Sequence, residues 1–86
     1  MKVKENYVMR QMADEYIAVP VGEGSHERRA IVLNEVGAFL WGKLTEDTTR
    51  EALLEQMLAE YEVEETVASA DLDAFLASMR SAGMLE

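Results

Sequence analysis

The sequence predicts an α+β domain in which a three-stranded antiparallel sheet is followed by three helices. Three observations predict it: β-branched apolar runs are confined to the first 33 residues, Asn34 ends the last of them, and most later apolar residues recur at helical spacing. At 86 residues and 49% hydrophobic, the chain has the material for one small core, and one domain is expected over residues 1–86.

Taken in order, residues 1–5 are mostly charged and are expected to fray. Asn6 to Met12 mixes β-formers with polar residues and reads as a first strand. Ala13-Asp14-Glu15 is a tight connection, and Tyr16 to Val21 forms a second, more apolar strand, a hairpin partner of the first. Pro20 has no amide to donate, which puts it near a strand end. The polar stretch Gly22 to Arg29 then carries the chain to a third strand, Ala30 to Leu33.

Asn34 is a strong N-cap because its side-chain oxygen can accept from amides of the first helical turn, and Glu35 favours the positive end of the helix dipole. In the helix that follows, Val36, Phe39, Leu40 and Leu44 share a face, which Trp41 widens. Gly37 and Gly42 each cost about 1 kcal/mol of helix propensity; they either let another element approach or are tolerated surface glycines. Thr48 and Glu51 are spaced as a capping box for a second helix reaching Tyr61, with Leu54, Met57, Leu58 and Tyr61 on one face and Leu53 beside them. A third helix is expected from Glu65 to Ala82, ended by Gly83.

In the third helix, Ala68, Leu72, Phe75, Met79 and Ala82 fall on one meridian and form the expected core stripe. Leu76, Ser69, Arg80 and Asp73 lie on one flank, read as a solvated edge. Val67, Asp71, Ala74 and Ser78 lie on the other. Small side chains beside a core stripe leave a shallow groove in which an acid can hold a donor; equally, alanines occur where nothing needs packing.

Composition narrows the function. The absence of cysteine removes disulfides, thiolate metal sites and cysteine nucleophiles, and fits a reducing cytoplasm. No signal-peptide or membrane-spanning pattern occurs, so a cytoplasmic protein without membrane association is expected. His26, the single histidine, sits in a polar loop without a partner at catalytic or metal-binding spacing. No phosphate-binding, zinc-protease or nucleophile-elbow motif is present, so neither catalysis, a cofactor nor a metal is expected.

The net charge of −9 is uneven: residues 1–43 hold six acids and six bases, residues 44–86 eleven acids against Arg50 and Arg80. The element order fits a winged helix-turn-helix, for which a regulator that binds protein or DNA is the alternative reading. DNA is disfavoured because Glu64 to Glu86 offers Arg80 alone against Glu64, Glu65, Asp71, Asp73 and Glu86. Peptide recognition is the better match: if the third strand is a sheet edge, an extended peptide can add to it and settle its side chains on the small flank of the third helix.

Five stretches of the chain carry a family resemblance. They are the run Leu33 to Trp41, Thr48-Thr49 opening a helix, Tyr61-Glu62-Val63, Ala70-Asp71-Leu72 with Phe75-Leu76, and the closing Gly83-Met84-Leu85. In order and spacing they resemble the PqqD-like family of peptide chaperones, over about residues 7–86. The resemblance implies a RiPP recognition element, a non-catalytic domain that binds the leader of a ribosomally made precursor peptide and presents the precursor to a maturase. In the pyrroloquinoline quinone pathway that maturase is a radical SAM protein; in relatives it is another maturase or a leader peptidase. By position, the resemblance assigns peptide binding to Ile31, Val32 and Leu33 on the strand and to Asp71, Ala74, Phe75 and Ser78 on the helix. An edge strand can also pair with its own copy, which leaves a homodimer open.

Overall fold

The computed structural model describes residues 1–86. Strands β1 (Tyr7–Met12), β2 (Glu15–Pro20) and β3 (Ile31–Leu33) precede helices α1 (Glu35–Lys43), α2 (Arg50–Glu60) and α3 (Glu65–Ser81), the expected α+β, winged-helix order. The sheet runs β1-β2-β3 and is antiparallel throughout, so β3 is an edge. Ala13 and Asp14 make the β1–β2 turn, with Ala13 at φ 55°, a left-handed position that costs a residue with a Cβ about 1 kcal/mol or more. Pro20 pairs with Tyr7 at the end of the β1–β2 ladder, beyond the last β2–β3 pair, Ala18 with Ile31.

One face of the sheet carries Tyr7, Ala18 and Leu33 into a core shared with Leu40, Trp41, Leu44, Leu53, Met57, Leu72 and Met79. Asn34 caps α1 as its chemistry suggests, its side chain accepting from the Gly37 amide at 2.7 Å. On α1 the buried residues are Gly37, Ala38, Leu40 and Trp41, followed by the buried C-cap Leu44, while Val36 and Phe39 sit half-buried at the rim. Phe39 meets Tyr61 edge to face, with ring centroids 5.5 Å apart, and so ties α1 to the end of α2.

Three local expectations are corrected. The first concerns residues 1–5, which are not frayed. The Val3 amide donates to the Leu44 carbonyl and the Lys4 amide to the Met84 carbonyl, both at 2.9 Å, while Val3 forms a bridge with Leu85. Val3 is the one apolar side chain between two lysines, and it fills the gap between the end of α1 and the chain's return after α3. Met84, buried beside it, seals the same corner.

The second correction moves the α2 cap by one residue. Thr49, not Thr48, accepts from the Ala52 amide at 3.1 Å, and the Thr48 amide is used instead on the Met1 carbonyl. Leu53 and Met57 are the buried positions of α2, with Leu54 and Leu58 half-buried beside them.

The third concerns α3, whose buried residues are Ala68, Leu72, Leu76 and Met79. Leu76 is 2% exposed and belongs to the core, not to a solvated edge. At about 100° per residue, its inclusion turns the buried arc roughly 30° away from the meridian that periodicity alone suggests. Phe75 and Ala82 consequently move from the middle of the stripe to its margin and are half-buried. That rotation is set by where α2 and the sheet lie, which no single helix encodes.

Arg50, the first residue of α2, fastens the two long helices together. Its guanidinium donates to both Asp73 carboxylate oxygens, at 2.7 and 3.1 Å, and to Ser69 Oγ. The Arg50 hydrogen bond holds the Asp73 carboxyl below the usual carboxylate range, and the same bond holds the Arg50 guanidinium above its own ordinary value. Asp73 is therefore committed to structure, whereas Asp71 has no ion-pair partner.

Candidate functional site: a groove beside an unpaired strand edge

β3 is short and one-sided. Tyr16, Ile17 and Ala18 of β2 pair with Leu33, Val32 and Ile31, and no strand lies on the other side. An edge strand of this kind presents unused backbone donors and acceptors to solvent. Alternation along the strand sends Leu33 into the core and leaves Val32 66% exposed.

Beside that edge lies an open groove of about 1130 Å³ between β3 and α3. Ile31, Val32 and Leu33 line it from the strand, and Asp71, Ala74, Phe75 and Ser78 from the helix. All seven residues singled out by the resemblance thus share one cavity. The flank of small side chains is a real depression: Ala74, Ser78 and Asp71 are exposed, and Phe75, turned to the margin of the core stripe, supplies an aromatic wall.

The wall is placed by a glycine. A Cβ built on Gly37 would meet Asn34 Oδ1 at 3.2 Å and Phe75 Cε1 at 3.3 Å, tighter than ordinary packing. Gly37 is thus a close-approach position, while Gly42, with nothing within 4 Å, is a plain surface glycine. The two open readings of these glycines are resolved one each way.

Several lining residues were not reached from the sequence, among them Tyr7, Arg28, Val36 and Gly37. Arg28 leaves the Gly22–Arg29 stretch, donates to the Val21 carbonyl at 2.8 Å and lies over the Tyr7 ring, 5.2 Å from its centroid. The adjacent Arg28-Arg29 pair just before β3 was the available signal; the Tyr7 contact, spanning two loops, was not legible.

The groove offers backbone hydrogen bonds, apolar walls and isolated charges, and no arrangement of nucleophile and base. His26 is 83% exposed, lies 3.7 Å from Glu27 and does not line the groove. No cluster of three or more His, Asp or Glu residues is placed to hold a metal ion, and no helix is long and apolar enough to cross a membrane.

No curated protein matches the chain by sequence. Among solved structures, TbiB1 in complex with the TbiA(beta) leader peptide is similar, with a TM-score of 0.79 and 27% identity over 100% of this chain and 95% of that one. Lasso peptide synthetase B1, complexed with the leader peptide, has the same fold, with a TM-score of 0.74 and 22% identity over 96% of this chain and 93% of that one. The family model for coenzyme PQQ synthesis protein D matches residues 15–85, from the start of β2 to the bridge at Leu85. With that match covering most of the chain and both the sheet edge and α3, the protein belongs to the PqqD family.

Proposed function

We propose that this protein binds the leader segment of a ribosomally synthesised precursor peptide as a fourth strand on β3 and presents the precursor to a modifying enzyme. The observation that carries this reading is the unpaired β3 edge directly beside the β3–α3 groove. Support comes from TbiB1, a structure of the same fold that holds a leader peptide. Ile31, Val32 and Leu33 supply the strand to which the leader adds. Ala74 and Ser78 leave room for its side chains, Phe75 packs against an apolar one, and Asp71 accepts from a donor. Backbone bonds set register and the pockets set preference.

The protein supplies no catalytic group. Its effect is to convert encounter of enzyme and core peptide into an event within one assembly, at an effective concentration set by the segment between leader and core. A radical SAM protein is the enzyme expected for the pyrroloquinoline quinone branch of the family, another maturase elsewhere in it. Without peptide, the same edge can pair with a second copy, so a homodimer that dissociates when leader is added is part of the proposal.

Gly37→Ala tests the aromatic wall. The substitution gains roughly 1 kcal/mol of helix propensity but pushes Phe75 Cε1, 3.3 Å from the new Cβ, toward the groove. Thermal melting is expected to change little, because gain and crowding offset, while leader affinity falls several-fold. Calorimetric titration of parent and variant with synthetic leaders from short reading frames flanking the gene checks both arms. No saturable binding of any such leader by the parent, together with a salt-dependent shift of duplex DNA, would instead favour a winged-helix regulator.

A further inference from the structure

The groove is electrically polarised along its length. Its two ends can be identified from contacts. At one end Arg28 rests on Tyr7, and this is the C-terminal end of α3, because the Lys4 amide three residues before Tyr7 bonds to the Met84 carbonyl. At the other end Gly37 abuts Phe75 and Leu33, with Asp71 one helical turn before Phe75. α3 therefore runs antiparallel to β3 across the groove, and Asp71 and the arginine pair face each other along its length.

Neither charge has a direct ion-pair partner within the protein. Asp71 is exposed and forms no ion pair, and Arg50 lies on the opposite flank of α3 with Asp73. Arg28 and Arg29 have no carboxylate partner either, and Arg28 Nε is buried with no acceptor, an unsatisfied donor of the kind native structures rarely keep. The one acid lining that end, Glu27, has a carboxylate oxygen 3.7 Å from His26 Nε2. The Glu27 carboxylate and the C-terminal dipole of α3, about half a negative charge, together offset less than the two guanidiniums supply, so that end stays net positive. From Asp71 to Ala82, α3 rises about 16 Å, which an extended peptide spans in about five residues.

We infer that the groove selects peptides by charge order, taking a basic residue at Asp71 and an acidic residue about five positions further along at Arg28 and Arg29. Every pairing in the sheet is antiparallel, and an added strand that continues the pattern enters at the Asp71 end. The base therefore lies on the N-terminal side of the acid. The inference rests on the reading of the groove as the leader site, and it names the chemistry of the leader that fits.

The test uses the whole protein and a phage-displayed random peptide library. Selected peptides are resynthesised with blocked termini, and those that shift the amide resonances of residues 31–33 are taken as groove binders. Enrichment of a base before an acid supports the inference. So does an affinity loss of about tenfold at low salt when the two are exchanged in one peptide, restored by the double variant Asp71→Arg with Arg29→Asp. Both substituted positions are exposed, so the fold survives. Groove binders with no charge order, or equal affinity for the two exchanged peptides, would overturn the inference and leave the leader reading standing. Failure to select any groove binder would overturn both.

Discussion

Proline at position 31 and proline at position 32 are expected to have opposite effects. In an antiparallel edge strand, successive residues direct their amides alternately to the neighbouring strand and to the open side. With Ile17 opposite Val32 and Ala18 opposite Ile31, one of the two amides bonds to β2 and the other faces solvent. Ile31→Pro and Val32→Pro therefore separate stability from binding. The variant that loses the inward amide gives up a ladder bond and melts lower. The variant that loses the outward amide keeps its melting temperature close to the parent's yet binds leader at least about tenfold more weakly, the consequence of one lost backbone bond plus a ring obstructing the incoming strand. Paired thermal melts and leader titrations read the contrast. If both variants bind leader like the parent, the leader does not add to β3.

The second large effect is Leu76→Ala. Leu76 is 2% exposed, and truncating a leucine so enclosed costs about 2–5 kcal/mol, from lost apolar transfer and the cavity left behind. Against a total stability of roughly 5–15 kcal/mol for a domain of ordinary size, that is enough to leave a sizeable unfolded population at elevated temperature. Urea denaturation is expected to show a lower midpoint with an unchanged slope. Ser78→Ala, at an exposed groove position on the same helix, is the control and should be near neutral. A Leu76→Ala midpoint equal to the parent's would mean that Leu76 does face solvent, as the spacing of apolar residues suggested.

Leu76 also shows where sequence reading ends. The β3-to-α1 boundary was legible because its chemistry is local: Asn34 caps from three residues away, and the apolar run before it has nowhere to continue. The length of α3 was legible for a similar reason, with Gly83 at φ 71° closing it. The rotation of α3 was not, because the helix offers apolar residues on both sides of its stripe and the choice is made by α2 and the sheet. The same holds for Val3. One valine between lysines carries no pattern, and only its position between Leu44 and Met84 makes it core.

The candidate site divides in the same way. The small flank of α3 and the acid within it were readable as a groove in outline, since they follow from helical geometry alone. Whether β3 is an edge depends on strand order, a nonlocal property that three similar strands leave open. Family position assigned Phe75 to peptide binding and periodicity alone placed it at the centre of the core; the structure has it lining the groove. Its actual place, on the margin between the two, follows from Gly37 and from the burial of Leu76.

These elements act together. Gly37 lets Phe75 stand close to β3, the buried Leu76 turns that ring outward, and the small residues beyond it keep the groove open next to unpaired backbone. Asp71 is the one acid lining the groove from α3, Asp73 being paired with Arg50 on the opposite flank of the helix. The protein thus presents an open groove with an aromatic wall beside an unpaired strand edge.

The most direct test of that account is an NMR titration of isotopically labelled protein with a synthetic leader from a precursor encoded beside its gene. The account predicts saturable shifts concentrated on residues 31–34 of the sheet edge and 71–82 of α3, with slowed amide exchange along β3 as its open side becomes paired. Shifts confined to the β1 edge or to α2, with residues 31–33 unmoved at saturation, would contradict it.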